Sequence, residues 1–338
     1  MKTPSSLVCA AYAAPALALA ALYFPVFVYL APFYAEGYGV ALAAIGVLFI
    51  AVRLMDAVTD PLMGWLSDHT PAPLARFGRR RVWLAVATPL IAVSIWMLFV
   101  PPDGAGFTHM AIWLTLLTLG WTIAQTPYYA WGAEMSGDYD ARARITTWRE
   151  GTGLVGVTLA ILLVHGAGGQ LPGLWAVAAM VCVALPIGVT IALRFAPEPR
   201  NFSRQSLGMK DAAHALIGNA LFRRLLSAYF INGLANALPA GLFVFYIRDL
   251  LQDPDAGFLI LVYFVCAVIG CLSSLLVHIK GTEGNFRKQI TLHLFAHLIL
   301  SPIMFITWIF GLVGTDHNIV GAGSTATQYI FGFMLILH

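Results

Sequence analysis

The stretch Arg53-Leu54-Met55-Asp56-Ala57-Val58-Thr59-Asp60-Pro61-Leu62-Met63-Gly64 holds the residues most able to do chemistry. Asp56 and Asp60 are four positions apart, so on a helix they share one face about a turn apart, with Arg53 near the same face. Two carboxylates at about 6 Å repel by roughly 3 kcal/mol at an effective dielectric near 20. That repulsion favours a shared proton or a bound cation, and carboxylate and hydroxyl oxygens suit a hard ion such as sodium. The competing reading is an ion pair in which Arg53 neutralises one aspartate for helix packing. One positive charge cannot neutralise two negative ones.

The elements that must position this pair are membrane helices. Of 338 residues, 59% are hydrophobic and only 10% are charged, against about a quarter charged in soluble domains. Apolar runs of some 20 residues recur along the chain, each long enough to cross a ~30 Å hydrocarbon core. They lack the short alternation of barrel strands, so helices remain as the way to satisfy the backbone in lipid. We expect ten spans, near 6–34, 40–66, 82–101, 110–132, 148–168, 172–195, 225–250, 256–279, 289–313 and 318–336. The first run continues past the length of a signal peptide's apolar core and reads as an uncleaved span. Of the 16 acidic residues, Asp56 and Asp60 are the two expected deep inside a span, where ionisable groups usually face a cavity or a partner.

All but Arg53 and Arg248 of the 19 lysines and arginines fall on one side of these spans or at its boundary. By the positive-inside rule both termini face the cytoplasm. The net charge of +3 reflects that bias and gives no reason to expect nucleic acid as a partner. Residues 196–224 form the longest polar connection, with six spans before it (1–195) and four after it (225–338). Such a division fits two helical bundles with a solute site between them near mid-membrane. Alanine is abundant to about residue 270 and scarce beyond, where five of the nine histidines lie. A truncated or frame-shifted C-terminal part is therefore expected as readily as a natural ten-span chain. Cys9, Cys182, Cys266 and Cys271 lie in apolar runs without metal spacing and read as packing residues.

The segment from Arg53 through Trp65-Leu66-Ser67-Asp68 to Phe77-Gly78-Arg79-Arg80-Arg81 resembles the glycoside–pentoside–hexuronide:cation symporters of the major facilitator superfamily. Pro127-Tyr128-Tyr129-Ala130 with Glu134, Asp140-Ala141-Arg142 through Arg149, and Asn219 through Leu225 are similar to further stretches of that family. Together they cover about residues 8–265. The resemblance implies an all-α membrane protein of the major facilitator fold, with about 10 of an expected 12 transmembrane helices. It implies a sodium- or proton-coupled symporter of sugars or glycosides in the inner or plasma membrane, with no cofactor beyond the cation and no enzymatic activity. The implied cation ligands are Asp56, Thr59, Asp60 and Thr122, and the implied substrate residues are Gln125, Tyr129 and Arg149. Ala20 and Gln125 replace acids that bind sugar hydroxyls in galactoside-transporting members, and Leu19 replaces a lysine. The cargo is therefore expected to differ, with an anionic solute or a lysolipid-like amphiphile as alternatives.

The resemblance also implies gating charges at Asp68, Arg79 and Arg53, the first of them pairing across to a neighbouring helix in one conformation. Plain topological anchoring by the arginine cluster is the other reading. Arg149 could equally anchor the span-five boundary, and Tyr129 could simply pack. Gly151, Gly153 and Gly156 are expected to permit close helix approach, and Pro89, Pro127 and Pro239 to kink helices. His293 and His297 alone make a poor metal pair. A lipid-modifying enzyme would need a metal or a nucleotide, and no phosphate-cradling loop is present.

Overall fold

The computed structural model describes residues 4–166, 170–198 and, in the stretch 218–227, all but 221 and 225. The chain divides into two units, Met1–Gly218 and Asn219–His338. In the second, the backbone N–H of Phe222 donates to Asn219 Oδ1 at 3.2 Å, a local cap. The expected spans seven to ten, together with Pro239, Cys266, Cys271, His293 and His297, lie outside the described residues.

The first unit contains α1 (Ser6–Val28), α2 (Leu30–Tyr38), α3 (Leu42–Asp68), α4 (Ala72–Ala75), α5 (Arg81–Phe99), α6 (Phe107–Glu134), α7 (Tyr139–Gly166) and α8 (Gln170–Phe195). No strand occurs among the described residues. Six of these helices are long and apolar enough to cross a membrane: α1, α3, α5, α6, α7 and α8.

Local chemistry sets the boundaries. Ser5 caps α1 by accepting the Val8 N–H. The first expected span is interrupted at Tyr29, because Pro32 has no N–H to offer the Val28 carbonyl four residues earlier. Gly39 then ends α2 in the left-handed conformation at φ 66°. The fifth span begins at Tyr139 rather than near 148. Asp138 sits just before it and accepts the Ala141 N–H at 2.9 Å, so the polar residues 139–147 are helix that hydropathy does not register.

α1 packs against α7 and α8, α5 against α6 and α8, and α3 against α6. The core is locked by two tyrosines. Tyr12 donates to the Tyr128 carbonyl at 2.9 Å, Tyr128 returns a bond to the Tyr12 carbonyl at 2.6 Å, and the rings stack at 4.7 Å. Close approach requires glycine at Gly156, where a Cβ would lie 2.0 Å from the Leu17 carbonyl oxygen of α1. Gly153 meets Ala20 in the same contact, whereas no described residue lies within reach of a Cβ at Gly151. This frame fixes α3 and α6 side by side.

Candidate functional site

α3 and α6 carry the first cluster. Thr122, only 3% exposed, donates from Oγ1 to Asp60 Oδ1 at 2.8 Å. One turn away, Arg53 holds Asp56 Oδ2 at 3.3 Å, and the Asp56 side chain is 17% exposed. Asp56 Oδ1 and Thr59 Oγ1 are shielded from solvent and have no hydrogen-bond partner among the described residues. Shielded polar atoms are normally satisfied, so two such oxygens on adjacent turns suit a hard ion or proton. The four residues implied as cation ligands thus lie on facing helices.

Beside Asp56 is a cavity of about 50 Å³ lined by Tyr23, Phe27, Phe49, Arg53 and Trp121. The Arg53 guanidinium lies 4.5 Å over the Phe27 ring, an arrangement that stabilises the cation while holding it against the aspartate. Arg53 is 15 residues from Asp68 along α3, about 22 Å at helical rise. The structure therefore places it with the aspartate pair, apart from the other two expected gating charges.

The second cluster joins Gln125, Tyr129 and Arg149. Gln125 Nε2 donates to the Tyr129 hydroxyl at 2.7 Å, and the Arg149 guanidinium lies 3.9 Å over the Tyr129 ring. Arg149 also pairs with its neighbour Glu150, whose Oε1 accepts from Nε at 3.1 Å and Nη2 at 2.7 Å. Because α7 starts at Tyr139, Arg149 stands three turns inside the helix and not at its boundary. Glu150 stands beside it on the same helix.

The third cluster lies at the arginine-bearing end, where α3, α5 and α6 meet. Arg79 makes a two-pronged contact with Glu134 at 2.8 and 2.9 Å and a looser one with Asp68 at 3.4 Å. The centre of the network is Arg80, 8% exposed, which bridges Asp68 at 2.5 Å, Glu134 at 2.6 Å and Ser67 Oγ at 3.0 Å. Burial alone would lower the Arg80 pKa, but Glu134 and Asp68 outweigh it and hold it above the ordinary value. A run of three arginines conceals which one turns inward, and only the helix register at α5 decides it. Past α8, Glu198 lies against the same end. Its Oε1 accepts the Arg80 backbone N–H at 3.5 Å, and its Oε2 is 3.9 Å from Arg81 Nε. Gly78, at φ 109°, leaves the space this carboxylate fills, since a Cβ there would be 2.7 Å from Oε2. Trp131 Nε1 donates to the Pro197 carbonyl at 3.0 Å and completes the strap. Burial pushes the Glu198 carboxyl above its usual pKa, against the opposing pull of the Arg80 amide and Arg81.

Among known proteins, the chain is 24% identical over 292 residues to YagG of Escherichia coli strain K12, provisionally named a glycoside/cation symporter; the match covers 82% of this chain and 62% of YagG. It is 25% identical over 239 residues to the inner membrane symporter YicJ of the same strain, covering 68% of this chain and 51% of YicJ. The isoprimeverose transporter of Lactiplantibacillus pentosus is 27% identical over 134 residues, 39% of this chain and 27% of that protein. The chain thus spans about three fifths and one half of the lengths of the first two relatives. Residues 11–337 match the family described as MFS/sugar transport protein. With its membrane-crossing helices and that match over nearly its whole length, the chain is an integral membrane protein and belongs to the MFS/sugar transport family of the major facilitator superfamily.

Proposed function

We propose that this protein is a cation-coupled symporter of sugars or glycosides, working by alternating access, with sodium or a proton held between Asp56, Thr59, Asp60 and Thr122. The observation that carries the reading is the pairing of α3 with α6 at this point. A threonine hydroxyl already orients Asp60, while Asp56 Oδ1 and Thr59 Oγ1 are withheld from solvent without partners among the described residues. Charge arithmetic supports one monovalent ion. Arg53 balances one aspartate of the pair and Arg149 balances Glu150. One negative charge is left over for a single sodium or proton to neutralise, and desolvating an unbalanced charge is costly.

The solute would bind along Gln125, Tyr129 and Arg149, one to two turns below the cation on α6. The names of the relatives favour sugars and glycosides over lysolipids as cargo. Asp68, Arg79 and Arg80 with Glu134 would hold the closed form of the arginine end, which the positive-inside bias assigns to the cytoplasm together with the N-terminus. In this reading 1–195 is the N-terminal six-helix bundle, 196–224 the linker and 225–338 part of a second bundle. Transport in proteoliposomes under an imposed sodium or proton gradient tests the coupling site. Asp56→Asn and Asp60→Asn are each expected to abolish gradient-driven accumulation of the transported glycoside. Accumulation at the unaltered rate in both variants would refute the assignment.

A further inference from the structure

Glu150 is a carboxylate inside a membrane-spanning helix that the cation site does not use. It lies on the candidate span Ala141–Val164, about two turns beyond Arg142 and Arg144. Its side chain is 63% exposed, while that of Arg149 is only 14% exposed. A charged, exposed side chain on such a span faces water or a polar ligand in preference to hydrocarbon. Arg149 Nε and Nη2 converge on Oε1, so the guanidinium fixes the carboxylate, and Oε2 takes no bond from Arg149. Three residues on, the same helix touches α1, where Gly153 meets Ala20. The Glu150 carboxylate thus ends the chain of contacts that runs from Gln125 through the Tyr129 hydroxyl and ring to Arg149.

An ionised carboxylate only accepts hydrogen bonds. Its natural partners are hydroxyl donors, to which it makes charge-assisted bonds. A ligand carboxylate approaching Arg149 would instead find the guanidinium already engaged and meet Glu150 at close range. Two like charges about 5 Å apart at a dielectric near 20 disfavour such a ligand by about two orders of magnitude.

We propose that Glu150, held by Arg149, is the hydroxyl acceptor of the solute site and selects an uncharged, multiply hydroxylated cargo over its anionic counterpart. This rests on the reading that α6 and α7 carry the solute, and it assigns within that reading a residue and a charge selection.

The test is equilibrium binding to the purified 338-residue chain in nanodiscs with saturating sodium. The probes are 4-nitrophenyl glycosides of glucose, galactose and xylose, and the uronides of the first two, which replace the neutral C6 alcohol by a carboxylate. The unaltered chain is expected to bind one neutral glycoside at least about 30-fold more tightly than the matching uronide. Glu150→Gln is expected to weaken that glycoside by about 10-fold and to narrow its preference over the uronide. Glu150→Asp would restore part of both. The shift in melting temperature that sodium induces should persist in Glu150→Gln, which establishes that the variant is folded and that its cation site stands.

The proposal is overturned if the unaltered chain prefers the uronide, or if Glu150→Gln changes neither affinity. It is overturned equally if no glycoside binds. In that last case a sodium-induced shift that is lost in Asp60→Asn would still uphold the cation site, so the two readings fail separately.

Discussion

Thr122→Val is the perturbation that isolates the cation site. The substitution is nearly isosteric, and at 3% exposure the side chain stays packed between α3 and α6. What it removes is one donor, the Oγ1 proton 2.8 Å from Asp60 Oδ1. A hydrogen bond to a charged group contributes about 1.5–3 kcal/mol. Asp60 is itself exposed, which puts the effect at the lower end, about 1.4 kcal/mol or tenfold in affinity. Without that bond Asp60 is free to rotate away from Asp56 and Thr59, and the ion must order it on binding.

The measurement is the sodium or proton concentration that gives half of the maximal rise in melting temperature of the purified chain. Thr122→Val should raise it about tenfold. Thr122→Ser, which keeps the hydroxyl, should return it close to the unaltered value. Thr158→Val is the control, because Thr158 Oγ1 bonds the Leu154 carbonyl of its own helix at 2.8 Å and not a carboxylate of the site. An unchanged half-saturation in Thr122→Val, or a Thr122→Ser no better than valine, would refute the reasoning.

Two further expectations concern the arginine end. Arg80→Met removes the buried partner of Glu134 and Asp68 and leaves them to the more exposed Arg79 alone, and should cost about 3 kcal/mol in thermal or denaturant unfolding. Arg79→Met, on a more exposed side chain, should cost about 1 kcal/mol, and equal losses would contradict the network described. Burial raises the Glu198 carboxyl above its usual 4.5, so folding favours its protonated form. That contribution is complete below pH 4.5 and is lost as pH rises through the elevated value. Glu198→Gln should therefore melt higher than the unaltered chain near pH 8 and converge with it below about pH 4.5. A difference that grows on acidification would reverse the assignment.

The membrane class, six of the spans and the aspartate pair were legible because each rests on local chemistry. Run length reports helices, and a spacing of four places Asp56 and Asp60 on one face whatever surrounds them. The boundary of α7 was not legible from hydropathy. Residues 139–147 are polar, and their helicity depends on the Asp138 cap and on packing against α1. A start near 148 left the boundary reading of Arg149 open beside its site role, and passed over Glu150. The inward turn of Arg80 and the strap at Glu198 depend on long-range approach, between α5 and the end of α6 and between Gly78 and the chain after α8. No local pattern encodes either. Glycines show the same limit: Gly151 and Gly156 look alike in sequence, and only the position of Leu17 separates them.

The register of α6 explains how the clusters can act together. Thr118, Thr122, Gln125 and Tyr129 are spaced by four, three and four residues, so they form one stripe down a single helix face. Thr118 lines the cavity at Asp56, Thr122 holds Asp60, and Gln125 and Tyr129 reach Arg149 through the bond and ring contact described above. On the proposed reading, an ion that fixes Asp60 through Thr122 would bias the rotation of α6 about its axis within the limits set by the core pair of Tyr12 and Tyr128. That rotation would set where Tyr129 stands against Arg149 and its partner Glu150. Coupling by this route needs no contact between ion and solute. Its consequence is that Thr122→Val should weaken solute binding at limiting cation but not at saturating cation, whereas Glu150→Gln should weaken it at both.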